Sequence, residues 1–81
     1  MKITKAFRQK DTRALIGFID NANCIKVDFW AHRQDVCLEN TNINYYIEDV
    51  ENYEEITLSS FNRALRVVKA IIDNKVNDLI K

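Results

Sequence analysis

The sequence predicts an α+β domain in two layers, a small antiparallel sheet of three to five strands with one long C-terminal helix packed on one face. The last third of the chain carries an apolar stripe at helical spacing. Between residues 13 and 47, apolar residues instead alternate with period two and are separated by turn residues. A chain of 81 residues supports one core, so we expect residues 1–81 to form a single domain.

The predicted helix covers residues 58–80. Its apolar residues begin at Phe61 and recur at steps of three and four. Thr57 is the expected N-cap, because Ile56 and Phe61 then occupy the two positions of a hydrophobic staple. The remaining residues of the stripe are Leu65, Val68, Ile72, Val76 and Leu79.

The strand predictions depend on hairpin turns that keep one apolar face. A turn at Asn21-Ala22 pairs Phe18 with Ile25, and a turn over residues 32–35 sets Leu38 opposite Phe29. A four-residue first turn would shift the partners and keep the same face. The face then comprises Ala14, Ile16, Phe18, Ile25, Val27, Phe29, Ala31, Val36 and Leu38.

Two segments leave alternatives open. A turn at Asn40-Thr41 would bring Ile43 against Leu38 in a fourth strand, and the aromatic run after Ile43 favours this interpretation. Residues 43–53 also show helical spacing, so a helix is the alternative. Residues 3–8 are a candidate edge strand, or the N-terminal segment 1–12 could fold over the second face of the sheet.

Several classes of chemistry lack their residues. The chain has one histidine, His32, and one glycine, Gly17, which excludes Gly-rich phosphate loops and leaves few nucleophilic arrangements. Gly17 instead indicates close packing or a bulge in a strand. Cys24, His32 and Cys37 match no zinc spacing, and the predicted register separates the two thiols by about 20 Å. We therefore expect no enzyme activity, no cofactor, no metal and no small-molecule substrate.

The chain shows no signal peptide and no apolar run long enough to span a membrane. Two cysteines are too few for a disulfide framework. These observations predict a cytoplasmic protein with reduced thiols and no membrane partner.

The second face of the predicted sheet is the first candidate for binding. One helix covers one face, so the other is either solvated or covered by a partner. That outer face would carry Leu15, Ile19, Trp30 and Tyr46, which is an unusually apolar set for a solvated surface. The partner would be another protein or a second copy in a homodimer.

Charge distribution supplies the second candidate. Twelve basic and twelve acidic residues cancel, yet residues 35–58 contain seven acids and no base, a net charge of −7. Residues 1–19 carry five bases against one acid, net +4. The acidic residues either pair with the basic ends or present an acidic surface. The candidates for that surface are Glu48, Asp49, Glu51, Glu54 and Glu55.

We therefore expect a non-enzymatic protein–protein interaction domain. Its most specific form would be a phage-encoded inhibitor whose carboxylates imitate phosphates and block a host nucleic-acid-binding system. The alternative is a single-stranded nucleic-acid-binding module that uses the outer sheet face. Basic residues around Trp30 favour this alternative, and the zero net charge opposes it. The basic residues concerned are Arg13, Lys26, His32 and Arg33.

Overall fold

The computed structural model describes residues 2–30 and 33–66, with the backbone alone described at 29, 30, 33 and 34. It contains a five-stranded antiparallel sheet in the order β4-β3-β2-β1-β5 and two helical segments. The predicted α+β class and antiparallel sheet are confirmed. The elements are β1 (Lys5–Gln9), β2 (Leu15–Phe18), β3 (Asn23–Trp30), β4 (Arg33–Asn40), α1 (Ile43–Glu48), β5 (Tyr53–Ile56) and α2 (residues 58–66).

The N-terminal strand lies inside the sheet. β1 pairs with β2 on one side and with β5 on the other. The prediction of a strand near residues 3–8 is confirmed, but its placement at an edge is wrong. Ile3 and Phe7 are both buried, as expected. Because β1 is a central strand, the N-terminal segment does not fold over a face of the sheet.

The loop between β2 and β3 sets the sheet's register. The Ile19 N–H donates to the Asn23 carbonyl at 2.9 Å, so this pair extends the ladder by one residue beyond Phe18, and three residues, 20–22, lie inside it. The Asp20 carboxylate accepts from the backbone N–H groups of Ala22 and Asn23, both at 2.8 Å. This side chain therefore stabilises a loop with an odd number of residues. The predicted turn has an even number, two or four.

Because this loop has an odd number of residues, Ile25 of β3 lies on the opposite face of the sheet from Phe18 of β2. Phe18 lies opposite Cys24, and Gly17 lies opposite Ile25. The predicted pairing of Phe18 with Ile25 is wrong, because a shift of one residue moves every side chain of a strand to the other face. Both faces of the sheet are consequently apolar.

Two buried clusters result, one on each face. The Tyr46 cluster comprises Phe7, Ile16, Phe18, Cys24 and Tyr46. The Phe61 cluster comprises Ile3, Ala6, Ile25, Val27, Val36 and Phe61. The expected fold with one covered and one open face is wrong, since α1 contributes Tyr46 to one side and α2 contributes Phe61 to the other.

The β3–β4 hairpin keeps the predicted face and changes the partners. Val27 lies opposite Val36 and Ile25 opposite Leu38, because the connection is two residues long rather than four. Ile25, Val27, Val36 and Leu38 share a face, as predicted. The predicted pairing of Leu38 with Phe29 is wrong by four residues.

The segment after β4 is a helix, so the preferred prediction of a strand is wrong there. The Asn42 side chain caps α1 by accepting from the backbone N–H of Asn44 at 2.9 Å. The Ile43 N–H donates to the Asn21 carbonyl at 2.8 Å, which joins α1 to the β2–β3 loop. The helical alternative for residues 43–53 is therefore correct for 43–48 only, since Tyr53, the last residue of the helical spacing, lies in β5. The buried residue of α1 is Tyr46.

α2 begins as the sequence predicts. The Thr57 hydroxyl accepts from the backbone N–H of Ser60 at 3.1 Å, which confirms the N-cap. Ile56 packs against the Phe61 cluster, as the hydrophobic staple requires. Nine helical residues, 58–66, are described, and the predicted continuation over 67–80 lies outside the described residues.

The ring of Phe61 packs directly onto the backbone of β2. A Cβ atom built on Gly17 would lie 3.0 Å from Cε1 of Phe61 and still closer to Cε2 and Cζ. Only glycine leaves room for the ring at this position. The sequence prediction of close packing at Gly17 is therefore confirmed.

Candidate protein-binding site

A groove of about 360 Å³ runs between α1 and the outer strand β5. Aromatic side chains from three elements line it, Phe7 from β1, Tyr46 from α1 and Tyr53 from β5. We call this feature the α1 groove. Its lining residues are Phe7, Lys10, Tyr46, Ile47, Val50, Tyr53, Glu54 and Glu55.

The aromatic residues beneath the groove form a packed unit. The ring centroids of Tyr46 and Tyr53 are 4.6 Å apart in an edge arrangement, and those of Phe7 and Tyr46 are 5.8 Å apart and stacked. Phe18 meets Tyr46 at 5.4 Å from below. Such pairs hold their members in defined orientations, so α1 is fixed on the sheet by one side chain, Tyr46.

The solvent side of α1 is unusually apolar. Tyr45 is 57% exposed, Ile47 is 42% exposed and Val50 is 67% exposed. Ile47 and Val50 line the α1 groove, and the centroid of the Tyr45 ring lies 6.2 Å from that of Tyr53. An exposed apolar group beside packed aromatic rings is typical of a contact site for another macromolecule.

Carboxylates surround this apolar surface. Glu48 and Glu51 are exposed and, in the part of the chain that the structure describes, form no ion pair. Asp49 accepts from the Asn52 amide at 3.1 Å through both oxygens. We call Glu48, Asp49 and Glu51 the acidic rim. The one basic group lining the groove, Lys10, donates to the Val50 carbonyl at 2.8 Å.

The other two predicted acidic site residues are neutralised within the molecule. The Arg8 guanidinium pairs with Glu54, with Nε donating to Oε1 at 2.6 Å. Lys5 lies 3.7 Å from Glu55. This agrees with the expectation that the acidic segment pairs with the basic N-terminus, for two of its seven acids. Of the other five acids, three form the acidic rim, and Asp35 and Glu39 lie on β4.

The residues that the sequence predicts for binding do not all lie on one surface of the structure. Tyr46, Glu54 and Glu55 line the α1 groove, and the acidic rim lies beside it. Leu15 and Ile19 are half-buried against the Phe61 cluster on the opposite side, so they do not belong to this surface. The Trp30 side chain lies outside the described residues, as do the side chains of His32 and Arg33 proposed for nucleic-acid binding.

Sequence reasoning missed the exposed apolar residues of the site. The sequence predicts a strand through Tyr45 and Ile47, and Ile47 and Val50 also belong to the helical spacing that is the alternative. The signal that could have identified them was the helical spacing of residues 43–53 combined with the Asn42 cap. Tyr46 was expected on an exposed face, but it is only 6% exposed.

The two thiols are closer than the predicted register allows. Cys24 lies opposite Glu39 and Cys37 opposite Lys26 on neighbouring strands, so the cysteines are diagonal neighbours. The predicted separation of about 20 Å is wrong, because the β3–β4 connection is shorter than expected. Both thiols are free, and the described residues contain no group of three metal-ligating side chains.

Burial of the thiols predicts a loss of stability in alkaline solution. Burial, aided by the Glu39 carboxylate, raises the pKa of Cys24 from 9.0 to about 11, and the pKa values of Cys37 and Tyr46 are also raised. The unfolded chain loses these protons first, so the free energy of unfolding should fall as pH rises from 9 to about 11, by roughly 2 kcal/mol for Cys24 alone. Urea denaturation across this pH range measures the effect.

The Cys24→Ala variant is the control for this pH dependence. It should be less stable at neutral pH and should lose less stability above pH 9, because it lacks the shifted thiol. Parallel curves for the two proteins would show that Cys24 does not contribute to the alkaline loss.

Comparison with known proteins provides no family for this chain. No family model, no curated protein and no solved structure matches it. Within the described part of the chain, no helix is long and apolar enough to cross a membrane.

Proposed function

We propose that this protein is a non-enzymatic protein–protein interaction domain that binds a basic segment of its partner at the α1 groove. The observation that carries the proposal is that exposed Ile47 and Val50 line the α1 groove and are interleaved along the chain with the residues of the acidic rim. The centre of such a surface is apolar and desolvated on binding, whereas the charged periphery selects the partner and accelerates association.

Charge determines the kind of partner. Within the described residues Glu48 and Glu51 form no ion pair, so they attract a basic surface, and the Lys10 ammonium donates to the Val50 carbonyl. The partner segment should therefore present lysine or arginine beside an apolar anchor. Nucleic-acid-binding proteins carry surfaces of this kind, and inhibition of such a protein by a phage-encoded domain is the specific form of the proposal.

A defined peptide tests the proposal directly. The probe is a fluorescent twelve-residue peptide with one central tryptophan flanked by lysines, compared with a peptide in which serine replaces the tryptophan. We expect the first to bind more tightly, with amide shifts in the 15N-labelled protein confined to residues 43–55. No binding, or shifts located on β4, would contradict the proposal.

Matched variants separate the two components of the surface. The Glu48→Lys/Glu51→Lys variant should weaken peptide binding about tenfold and reduce its salt dependence. Asp35→Lys, at an exposed acid on β4, is the charge control. Val50→Asp should weaken binding in the same way, while Leu58→Asp, at a residue 39% exposed on α2, should not. Equal effects of a variant and its control would refute the assigned site.

A single-stranded oligonucleotide distinguishes the alternative function. The acidic rim should repel it, so we expect no binding to the wild-type protein at low salt. Tight, salt-sensitive binding would instead support a nucleic-acid-binding module.

A further inference from the structure

We infer that the free edge of β4 pairs antiparallel with β4 of a second copy, which joins two five-stranded sheets into one continuous sheet. β4 is the last strand of the sheet and has β3 as its one neighbour in the described part of the chain. This surface is separate from the α1 groove, so the inference does not rest on the proposed function.

The hydrogen bonding of the hairpin shows which backbone groups are free. The Thr41 N–H donates to the Ala22 carbonyl at 2.9 Å, so this pair is a hydrogen-bonded pair of the antiparallel ladder. Such pairs alternate along a ladder, and Asp35, Cys37 and Glu39 therefore bond to β3. The residues between them direct their N–H and C=O groups away from the sheet. They are Gln34, Val36, Leu38 and Asn40.

The two edges of the sheet differ in their protection. β5 has four residues, two of which are the ion-paired Glu54 and Glu55. β4 has eight residues in unbroken register with β3 and contains neither proline nor lysine. Short length, charge and proline are the usual means by which proteins prevent strand addition at an edge. β4 has the length and regularity of a strand that accepts a partner.

Charge selects the register between two copies. Pairing centred on Asp35 would set that acid against itself, and pairing centred on Cys37 would set Asp35 against Glu39 of the second copy. Pairing centred on Val36 avoids both repulsions and places Glu39 opposite position 33, an arginine in the sequence. Registers centred on Gln34 or Leu38 also avoid these repulsions but pair fewer residues of β4. The register centred on Val36 is therefore favoured, and its self-complementarity favours a second copy over an unrelated strand.

The same register continues the core across the dimer. Val36 is 1% exposed within the Phe61 cluster, and Leu38 packs against that cluster. Val36 would meet Val36 of the second copy on this face. About six backbone hydrogen bonds would join the two copies. Two form between the two Val36 residues, and four form between Gln34 of each copy and Leu38 of the other.

Proline substitution at two positions on this edge tests the inference. Sedimentation equilibrium should show a concentration-dependent dimer for the wild-type chain. Gln34→Pro removes an outward N–H that the dimer uses in each copy and should raise the dissociation constant about tenfold. Asn40→Pro removes an outward N–H that lies opposite no residue of β4 in this register, and it should change the dissociation constant little. Far-UV circular dichroism verifies that both variants fold.

Disulfide trapping tests the register itself. In a Cys24→Ala background, Asp35→Cys places a new thiol opposite Cys37 of the second copy, in a non-hydrogen-bonded pair where side chains are closest. Mild oxidation should yield a reducible dimer with this variant and far less with Cys24→Ala alone. Rapid trapping of Cys24→Ala alone would overturn the register. A wild-type chain that stays monomeric at millimolar concentration would overturn the dimer.

Discussion

Replacing Gly17 by alanine is expected to lower the free energy of unfolding by about 1–3 kcal/mol, although the change adds a single methyl group. The new Cβ would lie 3.0 Å or less from three atoms of the Phe61 ring. The ring cannot move away easily, because Phe61 is 0% exposed and the Thr57 cap and the Ile56 contact fix the start of α2. The strain must therefore displace α2 or deform β2.

A double-mutant cycle attributes this loss to the ring. Phe61→Leu alone should be destabilising, since it removes buried volume from the Phe61 cluster. In the Phe61→Leu background, Gly17→Ala should lower the free energy of unfolding much less, because the smaller side chain leaves room for the methyl group. Urea denaturation of the four proteins gives the coupling free energy. An equal loss in both backgrounds would show that the cost arises from the backbone of β2 rather than from Phe61.

Replacing Tyr46 by alanine is expected to lower the free energy of unfolding by about 3–5 kcal/mol, the range measured for truncation of buried aromatic side chains. Tyr46 is 6% exposed and contacts the rings of Phe7, Phe18 and Tyr53. It is the one buried residue of α1. Its loss should therefore release α1 from the sheet and remove the floor of the α1 groove, so that peptide binding is lost as well.

The adjacent tyrosine is a matched control. Tyr45 is 57% exposed, and Tyr45→Ala should change stability by less than about 1 kcal/mol. Under the proposed function it should nevertheless weaken peptide binding, because Tyr45 packs against Tyr53, which lines the α1 groove. Chemical denaturation and peptide titration of both variants separate these effects. Equal destabilisation by the two substitutions would contradict the assignment of Tyr46 as the anchor of α1.

Local patterns in the sequence were sufficient to predict most strands and the start of α2. Alternation located β2, β3 and β4, and the Thr57 cap with its staple located residue 58 as the first helical residue. These features depend on neighbours in the chain. The relative face of β2 and β3 was not predictable in the same way, because it depends on whether an even or an odd number of residues lies between Ile19 and Asn23, and the Asp20 carboxylate stabilises a loop of three.

The candidate site was only partly predictable for a related reason. Glu54 and Glu55 indicate a solvated loop when they are considered alone, yet they lie in β5 because Arg8 and Lys5 of β1 pair with them. The burial of Tyr46 depends on aromatic residues from β1, β2 and β5. The acids of the site could be identified from composition, but their arrangement around Tyr45, Ile47 and Val50 depends on these long-range contacts.

The central position of β1 has a consequence for synthesis of the chain. Arg8 and its partner Glu54 are 46 residues apart, so one edge of β1 stays unsatisfied until the second half of the polypeptide has left the ribosome. The β1–β4 meander can form earlier from local hairpins, whereas attachment of β5 requires closure of a long loop. The nascent protein therefore passes through a stage in which a hydrogen-bonding edge is open to neighbouring chains, and aggregation is most probable during that interval.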